Sequence, residues 1–335
     1  MGRGREHDQS AFTVVLALAA NAGVGLLKLG AGLLTGSGAL LSEAAHSVGD
    51  VSTQLMLLTA VRRSAKPADR RHPFGYGKER YFWALLAACG VLVSGAIFSV
   101  YEGIRTITEG SEESSLLWVN YLVLGLALVM EGTSLVQAVR QVRRDAAEHD
   151  ESVPRRLAGT DDPAPRAVFA EDLTAVIGIG LAAAGVALHQ LTGSAVWDGV
   201  ASLAIGGLLT VVAFLLAQST KTLLIGRQAD SRTLRSIELW LEEQPEIDDV
   251  VDLMTMLTGT DQVLVCARVD VVDDYRAGQL EEAFARIDVE LRKEFADVHE
   301  VFIQPVPRTN RELRERVLHR YGREMADQPE DLTAR

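Results

Sequence analysis

Six stretches of this chain are each long and apolar enough to cross a lipid bilayer, and that restricts its fold more than any other feature. A membrane helix needs about 20 predominantly apolar residues. Ala11–Leu34, Ala39–Val61, Tyr81–Gly103, Leu116–Val139, Ala167–Leu188 and Ala195–Ala217 all meet that length. Hydrocarbon offers no water to the backbone, so each segment must satisfy its own peptide groups, which predicts helices rather than loops. The first stretch follows a polar Met1–Ser10 and could be read as a secretory signal. Its apolar run outlasts a signal's core, however, and five further stretches follow.

Charge divides the chain. Met1–Gly226 holds 18 Lys and Arg against 20 Asp and Glu, while Arg227–Arg335 holds 15 against 25. A nearly neutral, apolar block thus precedes a strongly acidic one. This composition argues against disorder, collagen and a disulfide scaffold, and the acidity argues against a nucleic-acid partner. Cys89 and Cys266 lie far apart in unlike surroundings and form no redox or zinc-ribbon framework.

Cytoplasmic loops hold the excess of Lys and Arg. The connector Arg62–Arg80 has seven and Arg140–Arg166 has six. Thr35–Gly38 and Leu191–Ser194 have none, and Ile104–Ser115 has only Arg105. The alternation places both termini in the cytoplasm, in an integral protein expected in the plasma membrane. Gln141–Pro165, with Pro154, Pro163 and Pro165, reads as a flexible loop; its single histidine, His149, makes no metal-collecting tract.

After Arg227 the periodicity changes. Ser231 can cap a helix through Gln244; Val250–Leu257 and Gln262–Val271 read as strands around Thr258-Gly259-Thr260-Asp261. Ala277–Phe295 is a second amphipathic helix and Val298–Val306 a third strand. The expected architecture is a six-transmembrane-helix bundle over 1–226, a small α+β cytoplasmic domain of order αββαβ over 227–307, and a charged tail over 308–335, in which Arg311–Arg323 can extend a helix.

An ionisable residue at mid-membrane costs about 2.5–3.5 kcal/mol on insertion scales, so each is a functional candidate. The second span carries His46 and Asp50, four residues apart and therefore on one helix face. The fifth carries Glu171 and Asp172, whose side chains leave the helix about 100° apart. One imidazole and two or three carboxylates can complete a four-ligand site for a divalent cation; equally, His46 and Asp50 can form an internal hydrogen-bonded pair. Lys28 and Glu43 pair or snorkel, and Glu102 and Glu131 are expected near span ends in packing or interface roles. No His-Glu-x-x-His motif is present, which speaks against an intramembrane metalloprotease; a membrane-anchored metal sensor would carry a richer cytoplasmic metal cluster.

Lys28, the run Thr35 to Asp50 (TGSGALLSEAAHSVGD), His72 to Arg80 (HPFGYGKER), Tyr101 to Ile104 (YEGI) and Asp198 with Ser202 together resemble the cation diffusion facilitator family. The likeness covers the membrane block and, more loosely, the αββαβ segment, which is similar to that family's metallochaperone-like cytoplasmic domain. It implies a transport site of two residues four apart on the second helix and two on the fifth. The first pair carries over as His46 and Asp50. In the second pair Asp172 matches, but Val168 stands four residues before it, and Glu171 is the natural substitute. The resemblance also implies a weak secondary loop site at Asp69 and His72, with Tyr76 where a further histidine would stand, and a homodimer through the cytoplasmic domain. His46 tilts the metal towards zinc over manganese, with iron or cobalt as alternatives. Since ligands bind metal only when deprotonated, protons are the expected counter-ion of a zinc exporter working by alternating access.

Overall fold

The computed structural model describes residues 3–110, 117–148 and 162–307, with isolated positions at 152, 153, 157, 309, 312 and 315–317; of residues 3–17 it describes the backbone. The chain divides into two compact units. One comprises Met1–Pro67 and Tyr76–Leu224, the other Ala68–Gly75 and Ile225–Arg335.

Among its described residues the first unit contains six long helices: α1 (Arg3–Thr35), α2 (Gly38–Ser64), α3 (Glu79–Glu109), α4 (Leu117–Glu148), α5 (Pro163–Thr192) and α6 (Val196–Ile225). Five of them are long and apolar enough to span a membrane on length and composition. The exception is α2, whose 27 residues reach about 40 Å at 1.5 Å per residue. It has the length and lacks the apolarity, because Ser42, Glu43, His46, Ser47, Asp50 and Thr53 interrupt it. All six are buried among the other helices. The outer surface is the reverse: Leu26, Leu33, Val93, Leu122, Val129 and Phe214 each remain more than 60% exposed. Such an apolar coat suits lipid.

Local chemistry sets the helix ends. Gly36, at φ 71°, closes α1 and donates its N–H to Gly32 O at 2.9 Å. Ser37 caps α2, its Oγ accepting from Leu40 N. Asp198 of α6 accepts from Ser37 Oγ at 2.8 Å and from Ala39 N at 3.2 Å, placing a carboxylate at the positive end of α2. Asp162 caps α5 with Pro163 at its first position, and Gly193 ends it at φ 68°. Asp162 also receives Nε of Arg80 at 3.0 Å, tying the start of α5 to the start of α3.

The connector expected from Gln141 starts later. Helix α4 continues to Glu148, with Val142 and Ala146 buried on one face, so its last turns are held by packing rather than frayed. Most of the remainder of that connector, His149 included, and most of Arg311–Arg323 lie outside the described residues.

Small residues let the helices approach closely, the usual route to association where hydrophobic driving force is absent. Gly103 of α3 and Gly199 of α6 meet backbone to backbone. A Cβ added at Gly199 would stand 2.8 Å from Gly103 O and 2.6 Å from Ile107.

The second unit holds α7 (Ser231–Glu242), β1 (Ile247–Gly259), β2 (Gln262–Val271), α8 (Ala277–Glu294) and β3 (Val298–Pro305), the αββαβ order expected. Strands β1 and β2 pair antiparallel around a turn with Asp261 at φ 53°. Strand β3 returns parallel to β2 after the α8 crossover. Ile237, Leu241, Ile287 and Leu291 are fully covered, as are Leu257, Val265 and Val269 of the sheet. Strand β1 starts three residues before the expected Val250, because register shifts at Ile247/Asp249 and Val250/Asp252 break the alternation a sequence reading depends on. The segment Ala68–Gly75 belongs to this unit, with Phe74 edge-on to Phe302 at 6.4 Å between ring centres.

The α3–α6 contact is directly testable. Gly199→Ala is expected to destabilise the protein by about 1–3 kcal/mol through overpacking. Gly207→Ala, on open space, is expected to be neutral or to gain up to about 1 kcal/mol. Equal melting temperatures for the two variants in detergent would refute the close-packed pair.

Candidate metal site

Helical spacing builds the site. Glu43, His46 or Ser47, Asp50 and Thr53 follow one another at three or four residues, which makes one polar stripe along α2, and every member is buried. His46 Nδ1 stands 3.4 Å from Asp50 Oδ1, yet the atoms are not aligned for a hydrogen bond. Both ring nitrogens of His46 and Asp50 Oδ1 have no hydrogen-bond partner. Buried polar atoms are nearly always satisfied, so a run of orphans on one stripe calls for a ligand. The short π-helical segment Val91–Ile97 of α3 lies beside the same turns: Gly49 faces Ser94, and Gly95 faces the backbone of His46. Such segments recur at functional sites.

The two α5 carboxylates part company, as their 100° separation requires. Glu171 is buried, faces Thr53 and Asp50 of α2, and leaves Oε1 without a hydrogen bond. Asp172 is half-buried and turns to α4, where its Oδ2 accepts from Ser134 Oγ at 2.8 Å. Among the described residues, no three His, Cys, Asp or Glu side chains converge closely enough to hold one ion. The candidate ligands therefore line adjacent helices without closing on a common centre.

Three participants escaped the sequence reading. Glu131 of α4 was expected near a span end. The helix instead runs on to Glu148, so Glu131 sits inside it, 8% exposed, and acts electrostatically on Asp50, Glu171 and Asp172. Ser134 lies three residues further along the same face. Thr53 continues the His46–Asp50 stripe by another turn. The signal available for Ser134 and Thr53 was periodicity relative to an acid, which hydroxyl residues carry too weakly to be noticed alone.

In the second unit, His72 Nδ1 is 3.6 Å from Asp69 Oδ1, and both side chains are about half exposed. That oxygen already accepts the N–H groups of Arg71 and His72 at 2.8 Å each, so the loop's own turn engages it. His299 is exposed on β3. Burial pushes the Cys266 thiol up, against a smaller opposing pull from Arg268, which disfavours the thiolate a metal would need.

The nitrogen and oxygen donors gathered on α2 and α5 suit a borderline divalent cation. Comparison with known proteins agrees with that chemistry. Residues 14–225 match the family model of the cation efflux transmembrane domain. Metal tolerance protein C4 of Arabidopsis thaliana is 29% identical over 86% of this chain and 64% of its own length. The mitochondrial proton-coupled zinc antiporter SLC30A9 of Homo sapiens is 31% identical over 77% of this chain and 45% of its own. Magnetosome protein MamB of Magnetospira sp. is 36% identical over a shorter stretch, 25% of this chain and 28% of its own length. This chain thus spans about half to two thirds of the length of the first two relatives. With a matching six-helix membrane unit and an αββαβ unit after it in the chain, this is an integral membrane protein that belongs to the cation efflux family, the cation diffusion facilitators.

Proposed function

We propose that this protein exports zinc from the cytoplasm in exchange for protons, by alternating access, from the plasma membrane. In this reading both termini are cytoplasmic and two copies pair through the αββαβ unit. The observation that carries it is the set of orphaned donors between α2 and α5: both His46 nitrogens, Asp50 Oδ1 and Glu171 Oε1. A dication entering this layer loses its water, and these atoms replace it. His46, Asp50 and Glu171 supply three ligands; Asp172 leaves Ser134 to supply the fourth.

Proton exchange follows from charge balance. Asp50, Glu131, Glu171 and the half-buried Asp172 bring four carboxylates to neighbouring faces of α2, α4 and α5, apart from Glu43, which Lys28 already pairs. So many negative charges cannot stay ionised and unpaired away from water. They hold protons when no metal is bound and release them when a dication arrives. The printed names of the SLC30A9 relatives, proton-coupled zinc antiporters, support the same pairing of ions.

In proteoliposomes, zinc is expected to move against its gradient when a proton gradient is imposed. Asp50→Ala and Asp172→Ala should each abolish that flux; normal transport by both would remove the site. Glu171→Gln is expected to weaken zinc binding at least about tenfold, since even outer partners of metal ligands cost 10–100-fold. His46→Asp converts the set to oxygen donors alone and should raise manganese transport relative to zinc. An unchanged ratio in competition assays, or iron or cobalt outcompeting zinc in the unmodified protein, would overturn the assignment of metal.

A further inference from the structure

A second ionic centre lies on the α2 stripe, one turn from His46. Lys28 of α1 has no exposed surface, and its Nζ donates to Glu43 Oε2 and to Ser47 Oγ, both at 3.1 Å. Glu43 is equally covered. Its other oxygen, Oε1, accepts no hydrogen bond and rests on the bare backbone of Gly178 in α5, where an added Cβ would overlap it. Gly178 is seven residues beyond Glu171, two helical turns along the same face. The pair is therefore built into the α2–α5 seam that carries the candidate ligands.

Anchoring alone does not account for it. A buried ion pair is commonly replaced by apolar residues without loss of stability, so the charges imply another use. Through Ser47 the ammonium is held against the residue next to His46, and through Glu43 it is held one helical turn from it. A transport site must bind its ion firmly enough to admit it and loosely enough to release it. Carboxylates on α2, α4 and α5 would hold a dehydrated dication too tightly for turnover.

We infer that Lys28 is an affinity-setting residue of the metal site, a fixed positive charge, oriented by Glu43 and Ser47, that weakens the hold of the neighbouring carboxylates on the dication. The inference rests on His46, Asp50 and Glu171 being ligands. It assigns Lys28 and Glu43 opposite effects: one repels the metal and the other offsets that repulsion.

Zinc titration calorimetry on the purified full-length chain, with melting temperatures recorded alongside, tests this. Lys28→Gln is expected to bind zinc at least about tenfold tighter and Glu43→Gln at least about tenfold weaker, as a unit charge in a low-dielectric seam requires. The double variant, with neither charge, should bind near the wild-type level. In proteoliposomes Lys28→Gln should lower KM and kcat together. A merely structural pair would loosen binding in both single variants, and that result, or unchanged binding by Lys28→Gln, overturns the inference. If Lys28→Gln does not fold, the double variant must still bind tighter than Glu43→Gln alone, and equal affinities overturn it. Asp50→Ala separates the two levels. Loss of binding there leaves any failure with Lys28, whereas wild-type binding by Asp50→Ala removes the ligand assignment and this inference with it.

Discussion

The structure is governed by the need to keep α2's ionisable side chains away from lipid. A single buried charge costs several kcal/mol, and removing one member of a buried pair costs about 3–5 kcal/mol. Helix α2 carries Glu43, His46 and Asp50 on one stripe, so that stripe must face protein. Its neighbours are arranged to receive it: Lys28 from α1, Gly178 and Glu171 from α5, the π-helical turns of α3 from the side. The helix that fails as an autonomous membrane span is the one around which the others are ordered.

Rigid and adjustable contacts are segregated within the first unit. Gly103 and Gly199 lock α3 to α6 by direct backbone approach, and Asp198 staples α6 to the first turn of α2. Neither contact involves a long side chain that can relax. The ligand region is different. His46 and Asp50 are close without being hydrogen-bonded, Glu171 is unsatisfied, and Asp172 is held by one serine hydroxyl. A single hydrogen bond to a carboxylate contributes about 1.5–3 kcal/mol, so in the proposed role Asp172 gives up only one such contact on leaving Ser134 for a dication. The residues proposed to reorganise around an arriving ion are thus held weakly, inside a frame that is held strongly.

The αββαβ unit solves a separate problem with separate means. Its core is a helix-covered face of three strands, and its acidic excess keeps it compatible with water. The Ala68–Gly75 segment joins it through Phe74 against Phe302. Nothing in the hydropathy of that loop announces such a contact, because a lone aromatic between charged residues reads as a turn.

Sequence by itself determined the membrane unit, the αββαβ order and the family. Apolar length, loop charge and turn chemistry are local properties, and 20-residue stretches or a Gly-Thr-Asp turn mean the same in any context. It also placed His46 with Asp50, since four residues on one helix share a face whatever surrounds them. Tertiary structure decided which carboxylate meets them. Glu171 and Asp172 are adjacent in the chain, and only the packing of α5 between α2 and α4 sends one to Thr53 and Asp50 and the other to Ser134. The same packing brought Glu131 into reach and seated Lys28 on Glu43. Interhelical partnerships depend on rotation about each helix axis, which the bundle sets collectively and no single segment encodes.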